Sequence, residues 1–422
     1  MTTSDNTKQK VAPYQVDHLI LLVGRNPLPN AVAGVLLTKP GKRISLIYSE
    51  GTADIRSKLQ AHLSKRGFQA NAGSKVDAAD SPSIIKGVLS CLRTSDATVG
   101  LHYTGGTKAM SVHAFRALET WAKDNNKQPV FSYLDSRTLQ IRIDPNDAKG
   151  GGNQVPIYVG TAEEIKIAEL FGLHGWKLGK SPCEEPIMPC TAQALINLSK
   201  NQLAAWMHWR NGLLNGKGKF DWKKVTDIRN IALPNSASTA LDELTSVLLD
   251  ELGQAGSSVI DLERAKRDGK FASGEEFGGW IHGKWLEHHV LEILQNLAPS
   301  LDLHSCKQNI EPREVRFDMD VVAVRGYQLF AFSCGNESEY GGGENTRLKR
   351  KLFEAFVRAS QLGGDEARVA FVCRSREPEI LEAEMRRDFD FEGRIRVFGQ
   401  RHLANLRDGI EEWINSQKGT AT

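Results

Sequence analysis

The feature that most limits what this chain can become is an alternation repeated along its first third. The run VDHLILLV, Val16 to Val23, is almost continuously apolar and too short for a buried helix, which is the pattern of a strand covered on both faces. Arg43 to Tyr48, Ala97 to His102 and Pro129 to Leu134 repeat it. Between these runs, Ile55 to Lys65, Ile84 to Leu92 and Ala109 to Ala122 carry helical character. Strand and helix in turn require a parallel sheet flanked by helices, so this part of the chain reads as a doubly wound α/β domain.

A chain of 422 residues exceeds what one core serves, and its pattern changes twice. The cluster DPNDAKGGGNQ after Ile143 reads as a surface loop near the end of the first domain, which gives three regions: 13–160, 161–274 and 275–418. The middle region mixes short apolar helices with polar turns and reads as a connector. Its GLLNGKGKFDWKK stretch sets Lys217, Lys219, Lys223 and Lys224 beside Trp222, a combination that suits single-stranded nucleic acid and equally a solvated loop anchored by one tryptophan. From Glu276 an amphipathic helix is followed by strands at Arg316 to Val324 and Tyr327 to Phe332, a helix at Leu348 to Leu362 and a strand at Arg368 to Cys373. That order describes a second α/β core.

No apolar run approaches the roughly 18 residues of a membrane span, and Met1 to Ala12 lack the apolar centre of a secretory signal. The six cysteines are scattered, without the close pairs of a zinc site, and read as reduced thiols. A cytoplasmic protein without a membrane partner is the expectation. The net charge of +3 leaves any polyanion binding to local clusters.

One such cluster follows the third apolar run. In LHYTGGTKAMSVHAF, Gly105 and Gly106 stand between a strand and a helix, with Thr104, Thr107 and Lys108 around them. Glycines admit close approach of the backbone, a helix N-terminus offers free N–H groups, and threonine and lysine add donors and charge, so the loop suits a phosphate or ribose. A plain strand-to-helix turn is the alternative. The spacing is not that of a Walker loop. GRNPLPN, read as a turn, brings Arg25, Asn26 and Asn30 to the end of the first strand, and Ser49, Glu50 and Thr52 follow the second. Polar loops at strand carboxyl ends converge on one crevice in open α/β folds.

The TGGTK loop with Met110, paired with NPLPN after the first strand, resembles the CARF domain of CRISPR-associated proteins over roughly Val16 to Ile143. The resemblance implies a Rossmann-like homodimer that holds a cyclic oligoadenylate, most often of four adenylates, across its two-fold axis. Thr104, Gly105, Gly106, Thr107, Lys108 and Met110 would then line the ligand together with Asn26 and Asn30, and Ser49 and Thr52 join them as candidates.

In the third region Glu287 lies on the WLEHHVLEIL helix, and FDMDVV carries Asp318 and Asp320 two residues apart, so both side chains share one strand face. Two acids on a short apolar strand call for a cation, or else mark an edge strand whose polar face meets water. With the KLFEAFVRASQLGG helix, these segments resemble the PD-(D/E)XK nuclease core over roughly Glu276 to Phe398. That implies a restriction-endonuclease-like fold in which Glu287, Asp318 and Asp320 bind magnesium or manganese. The implied substrate is single-stranded DNA or RNA, and the whole chain then resembles a type III CRISPR ancillary effector.

Where that family places E-x-K, this chain reads Ser333, Cys334 and Gly335, and neither serine nor glycine replaces a carboxylate or an ammonium. Glu337, Glu339 or Glu344 are candidate substitutes for the acid, and Lys349 or Lys351 for the lysine, with Lys351 the candidate catalytic residue. A nuclease-derived receptor that binds without cleaving is the alternative reading.

Overall fold

The computed structural model describes residues 3–145, 152–179, 182–221, 223, 230–234, 241–315, 317–335, 344–389 and 393–417. Residues 146–151 of the glycine-rich loop, Trp222, Lys224, Glu337 and Glu339 lie outside the described residues, as does the side chain of Glu344.

Seven strands form the first sheet: β1 (Val16–Leu22), β2 (Thr38–Tyr48), β3 (Gln69–Lys75), β4 (Val99–His102), β5 (Val130–Asp135), β6 (Gln140–Ile143) and β7 (Val155–Tyr158). Their order is β3-β2-β1-β4-β5-β6-β7. The first five run parallel, and β6 and β7 add an antiparallel edge. Helix α1 (Thr3–Val11) precedes them, and α2 (Leu28–Leu37), α3 (Ala53–Lys65), α4 (Ser81–Cys91) and α5 (Lys108–Asp124) connect them. The near-continuous apolar run of β1 is explained by its two buried faces. Leu19 and Leu21 join the core under α2 and α3, while Ile20 and Leu22 join the core under α4 and α5.

Contrary to the turn expected at GRNPLPN, α2 begins inside it. Pro27 is the N-cap residue and a proline sits in the first turn, where a missing N–H costs no hydrogen bond. Asn30 is therefore a buried helical residue rather than a loop residue.

The middle region contains α6 (Ile167–His174), α7 (Pro189–Ile196), α8 (Lys200–Leu213), β8 (Asn230–Ala232), α9 (Asp242–Glu251), β9 (Val259–Asp261), α10 (Leu262–Arg267) and α11 (Gly274–Gly279). Its apolar residues divide between two cores. Ile167, Leu170 and Phe171 of α6 share a core with the first sheet, whereas Leu195, Trp206 and Leu248 pack with α12 (Trp285–Leu301), which a single π-helical turn, Trp280–Lys284, introduces.

The second sheet is β10 (Leu303–Ile310), β11 (Met319–Arg325), β12 (Gln328–Gly335), β13 (Arg368–Cys373) and β14 (Ile395–Phe398), in that order. The first three are antiparallel and the last three parallel. Helix α13 (Glu344–Gly363) covers one face with α14 (Pro378–Phe389), and α12 with α15 (Leu406–Ser416) covers the other. The core under α13 is continuous with the core of the first sheet, where Leu352, Phe356 and Ala359 join Phe171 and Leu59. Among the described residues no helix is long and apolar enough to cross a membrane, and all six cysteines are free thiols.

Candidate functional site

At the carboxyl ends of the parallel strands the chain makes its first candidate site. β1 lies between β2 and β4, so the loops after β1 and β4 leave the sheet on either side of the point where strand order reverses. They touch there. A Cβ on Gly24 would stand 3.0 Å from the N of Gly106 and 3.4 Å from the Cα of Gly105. A Cβ on Gly105 would overlap the carbonyl of Leu22, and Gly106 has φ +76°, a left-handed conformation that favours glycine. All three glycines are thus required by close approach or by φ.

Asn30 supports this junction from below. It is fully buried and its Nδ2 donates to the carbonyl of Leu22 at 2.7 Å, under Gly105. Met110 is likewise buried, in the core beneath α5. Both side chains are buried beneath the loops, and the Asn30 Oδ1 has no hydrogen-bond partner among the described residues. Thr104 also turns inward, bonded to His102 at 2.9 Å and accepting the N–H of Leu134 at 2.6 Å. Burial holds the His102 imidazole down to about 3, so that ring is neutral.

Thr107 caps α5 by accepting the N–H of Met110, and its hydroxyl donates to the carbonyl of Ala78 at 3.0 Å. The β4 loop is thereby tied to the loop after β3. Among the described residues, no hydrogen bond occupies the N–H groups of Gly105, Gly106 and Thr107. Lys108 is exposed at the first position of α5, whose first turn carries no acid. Beside this loop lies an open groove of about 530 Å³ lined by Ser49, Glu50, Gly51, Lys75, Val76, Asp77 and Ala78. Ser49 faces the groove and Thr52 fixes it from behind, accepting its backbone N–H at 3.0 Å. Free N–H groups at a helix start beside an exposed lysine are the equipment of an anion site.

Asn26 stands elsewhere. Its Oδ1 accepts the N–H of Leu28 at 3.0 Å, and its Nδ2 reaches Glu366 in the second half of the chain at 3.4 Å. It belongs to a contact between the loop leaving β1 and a short turn that precedes β13.

The second candidate site is a cleft of about 260 Å³ that brings Glu287, Asp318, Asp320, Ser333 and Lys351 together with Glu354 and Arg358. The register that pairs Val321 with Phe332 brings Asp320 beside Ser333. One oxygen of Asp320 accepts the N–H of Cys334 at 2.7 Å and the hydroxyl of Ser333 at 3.2 Å. Burial raises Asp320 above the usual carboxylate range, as does the charge of Asp318, against the Cys334 N–H and the Lys351 ammonium, which lower it. Glu287 is pushed up to about 8 by burial and by the Asp320 charge. The Nε2 of Gln308, which donates to it at 2.9 Å, works in the opposite direction.

The expected three-carboxylate metal set is not assembled. Asp318 precedes β11, its side chain is 60% exposed, and it turns to Arg358 at 3.4 Å. No three His, Cys, Asp or Glu side chains among the described residues converge to hold a metal ion. Glu287 and Asp320 remain as a pair of partly buried acids whose mutual repulsion a divalent cation would relieve, so the donors fit a cation as two carboxylates rather than three.

Of the two substitute lysines, Lys349 is committed to Glu384 at 2.7 Å and only Lys351 reaches the cleft. Gly335 has little room for a lysine, since a Cβ there would stand 3.2 Å from the Phe371 ring. Gln308 and Arg358 escaped the sequence reading. β10 lacks clean alternation, and an arginine two turns beyond Lys351 looks like helix surface.

The class these observations define is an α/β protein with a Rossmann-like parallel core and a second, mixed sheet. No family model and no curated protein matches the chain. Among solved structures it is similar in fold to protein VC1899 from Vibrio cholerae, with a TM-score of 0.65 and 15% identity over 96% of this chain and 99% of that one. It is also similar to Can2 from Sulfobacillus thermosulfidooxidans, solved in complex with cyclic tetra-adenylate, with a TM-score of 0.61 and 18% identity over 94% of this chain and 99% of that one.

Proposed function

We propose that this chain is a nucleotide-gated effector of the type III CRISPR kind, in which a cyclic oligoadenylate held by the first sheet of a homodimer controls a metal-dependent nuclease cleft on the second. The observation that carries the reading is the crevice at β1 and β4, with its unoccupied N–H groups and exposed Lys108. The fold shared with Can2, whose structure contains cyclic tetra-adenylate, supports it over nearly the whole chain.

In the cleft, Asp320 and Glu287 would hold magnesium or manganese, which when bound lowers the pKa of a water and neutralises phosphate charge. Ser333 and the Cys334 N–H orient the Asp320 carboxylate. Gln308 orients Glu287. Lys351 supplies the positive charge that the E-x-K lysine supplies in the family this region resembles, and Arg358 offers a contact to backbone phosphate.

Incubation with labelled single-stranded DNA and RNA, with and without cyclic tetra-adenylate, in magnesium and in manganese, tests the proposal. Ring-dependent cleavage is expected. A second reading, a receptor that binds nucleic acid or a protein without cleaving, is favoured by Ser333 and Gly335 and by the missing third acid. Ring binding without cleavage in either metal would select it.

A further inference from the structure

The helix that carries Lys351 and Arg358 into the cleft ends against the loop that leaves β1. Beyond Gly363, a single 3-10 turn, Gly364–Glu366, leads into β13. Gly364 has φ +64°, and a Cβ on it would overlap the amide of Asn26. Glu366 is buried, 1% exposed, and its carboxylate receives the Asn26 Nδ2 at 3.4 Å.

Among the described residues, the other hydrogen bonds that hold this turn come from the second sheet's own side and from α6. Arg368 donates to the carbonyls of Asp365, Glu366 and Ala367 at 3.0 to 3.1 Å, Gln328 donates to the carbonyl of Glu366 at 3.2 Å, and His174 bonds the carbonyl of Leu362 at 2.8 Å. Asn26 is the point where the crevice loop itself enters. It stands two residues after Gly24, which lies against Gly105 and Gly106, and its Oδ1 holds the N–H of Leu28 in the first turn of α2.

We propose that Asn26, Gly364 and Glu366 form the relay by which occupancy of the crevice repositions α13, with Glu366 a positioning residue for the cleft. The inference rests on the ring-binding reading above. Its physical basis is that a loop packed against glycine backbone cannot shift by itself. An anion drawn to the Gly105 and Gly106 N–H groups moves Gly24, and with it the asparagine wedged against Gly364. A 20-residue helix transmits displacement at one end along about 30 Å, so Lys351, 12 residues from Gly363, moves with it.

The test is hydrogen–deuterium exchange of the α13 segment in the full chain, with and without cyclic tetra-adenylate, alongside ring affinity by calorimetry. In the wild type, ring binding is expected to change α13 protection by about five-fold or more, the lower range of allosteric coupling. Gly364→Ala, which displaces the Asn26 amide, and Glu366→Leu, which keeps volume but removes the acceptor, should abolish that change and leave ring affinity within about two-fold. Glu366→Gln retains an acceptor and should restore the response, which a merely structural role for the side chain would not require. Thermal melting of each variant identifies loss of folding. Should Gly364→Ala fail to fold, Glu366→Leu against Glu366→Gln decides. An unchanged α13 response in the folded variants, or none in a ring-bound wild type, would overturn the relay. Absence of ring binding in the wild type would instead overturn the function from which it starts.

Discussion

At the ends of β1 and β4 the chain gathers glycines, a helix N-terminus and an exposed lysine, whereas at the start of β11 and the first turn of α12 it gathers partly buried carboxylates. The first arrangement offers backbone N–H groups and a lysine. The second has acids whose protons are held above their ordinary range by burial and by one another. On the proposed reading, one crevice would take an anion and the other a cation. In the cleft, burying Glu287 and Asp320 carries an electrostatic cost that a cation would relieve.

The largest effects should come from the cation side. If the cleft cleaves nucleic acid, Asp320→Ala or Lys351→Ala is expected to reduce turnover by at least about 100-fold, the usual scale for a positioned charge or proton-transfer group, with ring affinity unchanged. Robust cleavage surviving both substitutions would put the active site elsewhere and dissolve the contrast.

On the anion side, stability is the sharper probe. Gly105→Ala forces a Cβ into the carbonyl of Leu22 and to 3.0 Å from the Asn30 amide, and should destabilise the chain by about 1–3 kcal/mol in urea titration. An unchanged midpoint would show that the β1 and β4 loops do not pack as described.

The two regions were not equally legible in the sequence. β1 announced itself because Leu19 to Leu22 serve two cores at once. β3 did not, because QANAGSK has neither alternation nor an apolar run, yet it forms one wall of the open groove through Lys75. The prolines of NPLPN read as turn punctuation, although the first turn of a helix accepts them equally well, and this misplaced Asn30. In the second region the spacing of Asp318 and Asp320 located the cleft. It could not show that β11 begins between them, which leaves one acid exposed and the other held by Cys334. Asn26 was legible as a polar loop residue and, by the resemblance, as a ligand-lining one. Its contact with Glu366 spans 340 positions, and no local pattern encodes such a pairing.

A smaller effect should appear in the pH dependence of stability. The folded chain holds Glu287 up to about 8 and Glu366 up to about 7, both above the ordinary 4.5, so between these limits the native state binds more protons than the unfolded chain. Their influence is therefore to make stability greatest below about pH 4.5 and to lower it as pH rises toward 7 and 8. Glu366→Gln should flatten the fall between about pH 4.5 and 7 by on the order of 1 kcal/mol. Added manganese should oppose the fall in the wild type and do so less in Glu287→Gln. Identical profiles in all three proteins would mean that these acids are not held protonated.

Isothermal titration of cyclic tetra-adenylate into the wild type and Lys108→Ala tests the central claim most directly, because it asks only whether the crevice at β1 and β4 is an anion site. The account predicts wild-type binding and a loss of about 1.5–3 kcal/mol in the variant, roughly 10- to 100-fold in affinity, the worth of one charge-assisted phosphate contact. No binding by the wild type, or equal affinity in both proteins, would contradict it.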